Sequence, residues 1–284
     1  MAVRFDADTE DYTNTTGTYN IGTCTITCWV RIDVDRNAVS SAWCIDDGAS
    51  IAILLQTLSD GVTWQMADTA TGNSTLFAAT VGVWYYIAAV KATGAGATVV
   101  YWAAADTLPL SSASSSHLES STVSVLRIGA SVNSGEWLNG SIAALKVWDG
   151  VNLTQAEIER ERFQYLPHRT TNLIAFYPLL EGGNTVGAKQ DFSGAGNVLS
   201  GGAGSVTTDG PPITWRQYKR QYPFVFSAAA PAFIPEPGGY ILNEDGTKIM
   251  LEDGSGFLIL EETVGDVHYP SGYGRSFQNT LIRL

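Results

Sequence analysis

The run IGTCTITCWVRI, from Ile21 to Ile32, alternates with a period of two, so Cys24, Ile26, Cys28, Val30 and Ile32 share one face while Thr25, Thr27, Trp29 and Arg31 share the other. It reads as a half-buried antiparallel strand. Comparable runs recur at residues 50–55, 63–68, 75–80, 84–91, 98–103, 123–128 and 140–148. Turn signals such as Ser59-Asp60-Gly61, Thr71-Gly72-Asn73, Gly94-Ala95-Gly96 and Asn133-Ser134-Gly135 separate them. Strands at this spacing predict an all-β sandwich or barrel. One helix interrupts the pattern: Thr154-Gln155-Ala156-Glu157 has the form of a capping box, Ile158, Phe163 and Leu166 follow as the expected sheet-facing residues, and Pro167 is the stop.

Only 15% of the chain is charged, with 16 Lys+Arg against 28 Asp+Glu, a net charge of −12. Thr, Ser and Asn must therefore wet the strand faces, and phosphate backbones would be repelled, so nucleic acid is excluded as a partner. Arg216, Lys219 and Arg220 form the nearest basic cluster, which is small. Cys24, Cys28 and Cys44 are read as buried thiols, with a Cys28–Cys44 bridge as the alternative. The N-terminus lacks the basic and apolar regions of a secretory signal, and no apolar run reaches the ~18 residues of a membrane span, so no membrane partner is expected.

After Pro212 the character changes. Residues 1–213 are assigned to the sandwich, 214–239 to an extended Pro/Ala/Gly-rich linker, and 240–284 to a C-terminal β-meander and arm. Two units eight residues apart, one starting at Leu242 and the other at Met250, each place Asp-Gly between apolar residues, a tight-turn signal. A meander this small needs a surface to pack on. Tyr240, Ile241, Leu242, Ile249, Leu251, Phe257, Ile259, Leu260, Phe277 and Leu281 are its candidate assembly residues.

Several ordered segments of the first three quarters resemble laminin-G/pentraxin-type domains of the concanavalin A-like superfamily. They are Val3-Arg4-Phe5-Asp6 with Asp11-Tyr12, Ile26 to Arg31, Gly82 to Ala88, Leu126-Arg127-Ile128-Gly129, and Leu138 to Ile142 through Val147-Trp148 to Glu157-Ile158. Tyr177-Pro178-Leu179 and Asp191 to Asn197 close the set. The resemblance implies an antiparallel two-sheet jelly-roll sandwich. The sequence departs from the family at Ala7, where Gly is usual, and at Val100 to Ala105, where an Asn/Asp-Gly hairpin is usual. Glu252 to Glu261 resembles short repeats in structural proteins of tailed bacteriophages.

Glycosidases of this superfamily place alternating carboxylates on one strand so that acid and nucleophile flank a bond, and no such triplet occurs here. No nucleophile elbow, P-loop or zinc-protease motif is present either, so a non-enzyme with no catalytic residue is expected. No resident cofactor is expected. Ca²⁺ is the single candidate, from related sandwiches, with Asp6, Asp8 and Asp149 as ligands in acidic turns that lack the spacing of a dedicated loop. Trp43, Trp64, Tyr101, Trp102 and Trp137 are read as either sugar-stacking platforms or core; core is favoured, and Trp137, beside Gly135 and Asn139, is the glycan-binding candidate. Together these features lead to a non-enzymatic virion structural protein, a capsid decoration or cement protein assembled in the host cytoplasm and displayed on the virion surface. Its expected partners are the major capsid protein or tail subunits and copies of itself. The alternative is a carbohydrate-binding module or host-glycan adhesin.

Overall fold

The computed structural model describes residues 2–6, 12–15, 17–20, 22–68, 72–92, 98–105, 107, 109–115, 122–133, 135–180, 190–201, 205–207 and 209–213. The first strands are β1 (Ala2–Asp6), β2 (Tyr12–Asn14), β3 (Tyr19–Asn20), β4 (Cys24–Ile32), β5 (Ser41–Asp46), β6 (Ile51–Thr57), β7 (Thr63–Asp68) and β8 (Gly72–Ala78). There follow β9 (Tyr85–Lys91), β10 (Thr98–Ala104), β11 (Ser111–Ser115), β12 (Thr122–Val123), β13 (Val125–Ile128) and β14 (Asn139–Asp149). The helix α1 (Gln155–Arg162) precedes β15 (Leu173–Tyr177), β16 (Ser200–Gly201) and β17 (Ser205–Thr207). The proposed linker and the arm residues Tyr240 to Leu281 lie outside the described residues.

Two large antiparallel sheets form the sandwich. The first runs β11-β10-β9-β4-β14-β1-β17, with β15 also paired to β14. The second runs β16-β2-β13-β5-β6-β7-β8. Their facing sides meet in one apolar cluster that includes Val3, Phe5, Ile26, Cys28, Val30, Trp43, Ile45, Ile53, Leu55, Trp64, Met66, Ile87, Leu126, Ile128, Leu145 and Val147. Burying such side chains is worth about 1.5–3 kcal/mol each. The period-two alternation thus marks the inward side of β4 correctly, since Cys24, Ile26, Cys28, Val30 and Ile32 all lie in this cluster.

The expectation of half-buried strands fails at β4, which is buried along its whole length. Its second face, with Trp29, is covered by α1 and the chain that follows. Trp29 Nε1 donates to the Arg162 carbonyl at 2.8 Å and Trp148 Nε1 to the Arg169 carbonyl at 2.8 Å. The helix itself starts as the sequence indicates, with Thr154 accepting from the Glu157 amide and Glu157 reaching back to Thr154. Its seating differs from expectation. Ile158 is buried, but Phe163 is only half-buried, and the chief anchors are the buried Glu161 and Arg162.

A bulge in β14 makes this anchoring possible. Ala143 pairs with Trp29 and Lys146 with Thr27, so Ala144 and Leu145 stand opposite Cys28 alone, one extra residue is accommodated, and Ala144 adopts a φ of 51°. Lys146 thereby emerges under the helix. Its Nζ donates to Glu161 Oε2 at 2.6 Å and to the Gln164 carbonyl at 2.9 Å, while Glu161 Oε1 accepts the Arg169 amide at 2.9 Å. Arg162 donates to the carbonyls of Thr107 and Ala104. The outer side of the first sheet is therefore closed by the protein itself.

Candidate functional site

The outer side of the second sheet carries no helix among the described residues. Strand pairing arranges its side chains in rows, because directly opposed residues of an antiparallel pair point the same way. One row runs Thr13, Arg127, Cys44, Leu54, Ala67 and Asn73 across β2, β13, β5, β6, β7 and β8. Cys44, Leu54 and Ala67 form a small buried cluster separate from the main core. A parallel row places Ser41 opposite Gln56 and Gln56 opposite Gln65. Trp137 extends this second row, since it bridges to Ser41 on the side where β13 has ended. Leu138 enters the core, which turns Trp137, its neighbour, to the outer side, where it is half-buried.

The second row has an unusual electrostatic state. Ser41, Gln56 and Gln65 are all buried, and among the described residues Ser41 Oγ, Gln56 Oε1 and Gln65 Oε1 have no hydrogen-bond partner. A buried acceptor left without a donor costs about 1–3 kcal/mol. These three oxygens are closed to solvent, and the half-buried indole of Trp137, at the end of their row, is the accessible group.

Asp46, two residues along β5 from Cys44 and on the same side, is fully buried. Asp46 Oδ2 accepts from Arg127 Nε at 2.9 Å, and Oδ1 accepts from the Gly48 amide at 2.7 Å. The connection from β13 back to Trp137 passes over the first row, since the Val132 backbone hydrogen-bonds the Cys44 thiol.

The structure separates the other candidates. Trp43 and Trp64 are core residues, as favoured from the sequence. Trp102 is half-buried and stacks on Phe77 with centroids 4.9 Å apart, and Tyr101 packs beside the helix-side cluster. Asp6 opposes Asn139 at the start of β14 and pairs with Arg4 at 3.1 Å. Asp149 lies at the other end of that eleven-residue strand, roughly 30 Å away, so the two cannot ligate one ion. Asp8 lies outside the described residues. Among the described residues no group of three His, Cys, Asp or Glu side chains is placed to hold a metal. All three cysteines are free and buried, which disposes of the Cys28–Cys44 bridge.

Ser41, Gln56, Gln65 and Arg127 were not singled out as site residues from the sequence. Arg127 falls in the family-like segment Leu126 to Gly129 without having been read as a site residue, no motif marks the other three, and only cross-strand register relates them. The motif residues that were conspicuous are architectural. A Cβ on Gly140 would stand 2.2 Å from the Arg31 carbonyl oxygen, so β4 and β14 approach closely only because that position is glycine. Asp191, of the segment Asp191 to Asn197, accepts the amides of Phe176, Ser193 and Asn197 and the Ser193 hydroxyl at 2.8–3.0 Å. Tyr177 Oη then donates to the Asn197 carbonyl at 2.5 Å, and Asn14 Nδ2 to the Val198 carbonyl at 2.9 Å, so this clasp ties both sheets.

Residues 7–159, more than half of the chain, match the laminin-G-type family model described as the concanavalin A-like lectin/glucanases superfamily. The chain belongs to this superfamily. No curated protein sequence matches it. Similar solved structures include the native heptameric SAP-like pentraxin of Limulus polyphemus, at 15% identity and a TM-score of 0.42, covering 55% of this chain and 79% of that one. A putative carbohydrate-binding protein of Bacteroides ovatus is 13% identical with a TM-score of 0.47, covering 72% of this chain and 61% of its own. Full-length tailspike protein 2 of an Escherichia coli O157:H7 bacteriophage is 16% identical with a TM-score of 0.46, covering 62% of this chain and 26% of its own. The likeness thus spans less than two thirds of the latter two proteins. These relationships are remote and say nothing of ligand or partner.

Proposed function

We propose that this chain is a non-enzymatic structural protein of a bacteriophage particle whose superfamily sandwich binds glycan on the outer side of its second sheet. The observation that carries the glycan reading is Trp137, whose half-buried ring bridges to Ser41 at the margin of that side and is open to stack on a sugar. A non-enzymatic role is supported by the engagement of the carboxylates near that side: glycoside hydrolysis needs two carboxyl groups flanking the bond, whereas Asp46 is held in an ion pair with Arg127 and Glu136, next to Trp137, accepts from the Ser131 hydroxyl. Asp68, on β7, has the inward parity of Trp64 and Met66.

Placement on a particle rests on residues 240–284, in which Glu252 to Glu261 resembles short repeats of tailed-phage structural proteins. Capsid decoration or cementing through this arm, at the virion surface and against major capsid or tail subunits, is the form we favour. Burial of its apolar side chains at ~25 cal/mol per Å² would supply the attachment. Two measurements test the proposal. On a glycan array the protein is expected to bind, with W137A at least about tenfold weaker; binding unaffected by W137A refutes the site. Deleting residues 231–284 is expected to abolish incorporation into particles; normal occupancy by the truncated protein refutes the attachment.

A further inference from the structure

We infer that the glycan taken by this side is anionic, and that Arg127 receives its carboxylate or phosphate. The inference rests on the glycan reading above and specifies the ligand class. Asp46 is fully buried and bonds Arg127 through Nε alone, at 2.9 Å, while the Gly48 amide fixes its other oxygen. A guanidinium is planar, so a contact at Nε orients the whole group and leaves free the edge formed by the two terminal nitrogens. Among the described residues no group bonds either terminal nitrogen. The Arg127 side chain keeps 22% of its exposure, on the outer side of the sheet, next to Thr13.

Other arginines show what a purely structural role looks like. Arg162 spends its terminal nitrogens on the carbonyls of Thr107, Ala104 and Ala105, and Arg31 spends Nε on Asp33 and a terminal nitrogen on Asp209. Arg4 sits between Asp6 and Asp33, whose charges would repel an anion. Neutralising Asp46 explains the Nε contact of Arg127 but needs only a positive charge. The free, pre-oriented fork is the arrangement that binds carboxylate or phosphate through two parallel hydrogen bonds. Arg127 opposes Cys44 and Trp137 opposes Ser41, three residues along β5, so the two groups lie about 10 Å apart on either side of the connection that crosses at Val132. A short acidic oligosaccharide spans that separation.

The test titrates the full chain with a polyuronic acid, its carboxyl-reduced form and a phosphodiester-linked glycan. The intact protein is expected to bind one of the anionic polymers at least about tenfold more tightly than the reduced, neutral one; which anion wins identifies the source of the charge. R127K keeps a cation for Asp46 but loses the fork, and is expected to lose that preference while melting at the wild-type temperature. Equal binding of the neutral polymer by the intact protein overturns the inference and leaves the glycan reading standing, whether or not R127K folds. A folded R127K that retains the preference overturns it as well. Failure to bind any glycan overturns both.

Discussion

The closed outer side of the first sheet depends on a buried charge pair, and removing one member of that pair tests the packing directly. Lys146 and Glu161 are each 1% exposed and 2.6 Å apart. Replacing Lys146 with Met leaves the Glu161 carboxylate buried without its counter-charge, a loss of about 3–5 kcal/mol. It also takes the donor from the Gln164 carbonyl. E161L alone is expected to cost a similar amount by stranding the ammonium. The double variant K146M/E161L contains no stranded charge, but the Gln164 carbonyl and the Arg169 amide lose their partners, at about 1–3 kcal/mol each. Its cost should therefore be about 2–6 kcal/mol, comparable to either single change and well below their sum. Urea unfolding at neutral pH, with unchanged denaturant slope, measures all three. A cost below about 1 kcal/mol for K146M, or strict additivity in the double variant, would refute this account of how the helix is held.

Two further outcomes follow from titratable groups that partial or full burial shifts. Burial raises the Asp149 carboxyl above its ordinary 3.8, so its contribution to stability is full below that value and is lost as pH rises through the raised folded value. D149N, which can keep the bond to the Gly150 amide, should match the wild type in melting temperature in acid and surpass it increasingly toward neutrality; a pH-independent difference would contradict the assignment. Burial also pushes the Cys24 and Cys28 thiols up to about 12 and raises Cys44, so a disulfide exchange reagent at neutral pH should label none in the native protein and all three after denaturation. Rapid native labelling of any one would show that its strand is open.

The inward side of the sandwich was legible because apolar alternation is a local property of each strand, as Ile26, Cys28 and Val30 show. The capping box was legible for the same reason. β5 was missed: the bulge between Ser41 and Trp43 breaks its alternation, and both of its sides are buried. β11 was missed because Ser-Ser-Ala-Ser-Ser has no strand propensity of its own and forms by pairing along β10. Trp29 looked like an outward residue because nothing in its own strand reveals that a helix from residues 155–162 lies on it. The candidate site was legible only at Trp137. Gln56, Gln65 and Arg127 are ordinary polar residues of outward parity, and their significance comes from a register that the sequence does not write down.

The clasp at Asp191 and the strand that follows it set a mechanical hierarchy. β17 is the last described strand before Ile213 and is held to β1 by the three pairs Ala2–Thr207, Val3–Val206 and Arg4–Ser205. Tension entering from the C-terminal side would load the seat of Ile213 in the helix-side cluster and the Arg31–Asp209 pair, and then these three strand pairs. Behind them stand the two pairs of β16 with β2, and then the clasp, whose bonds reach Phe176, Tyr177 and Asn14 in both sheets. A tether pulled at that end would peel off a short, weak strand as a fuse while the stitched sandwich and its outer face stayed intact.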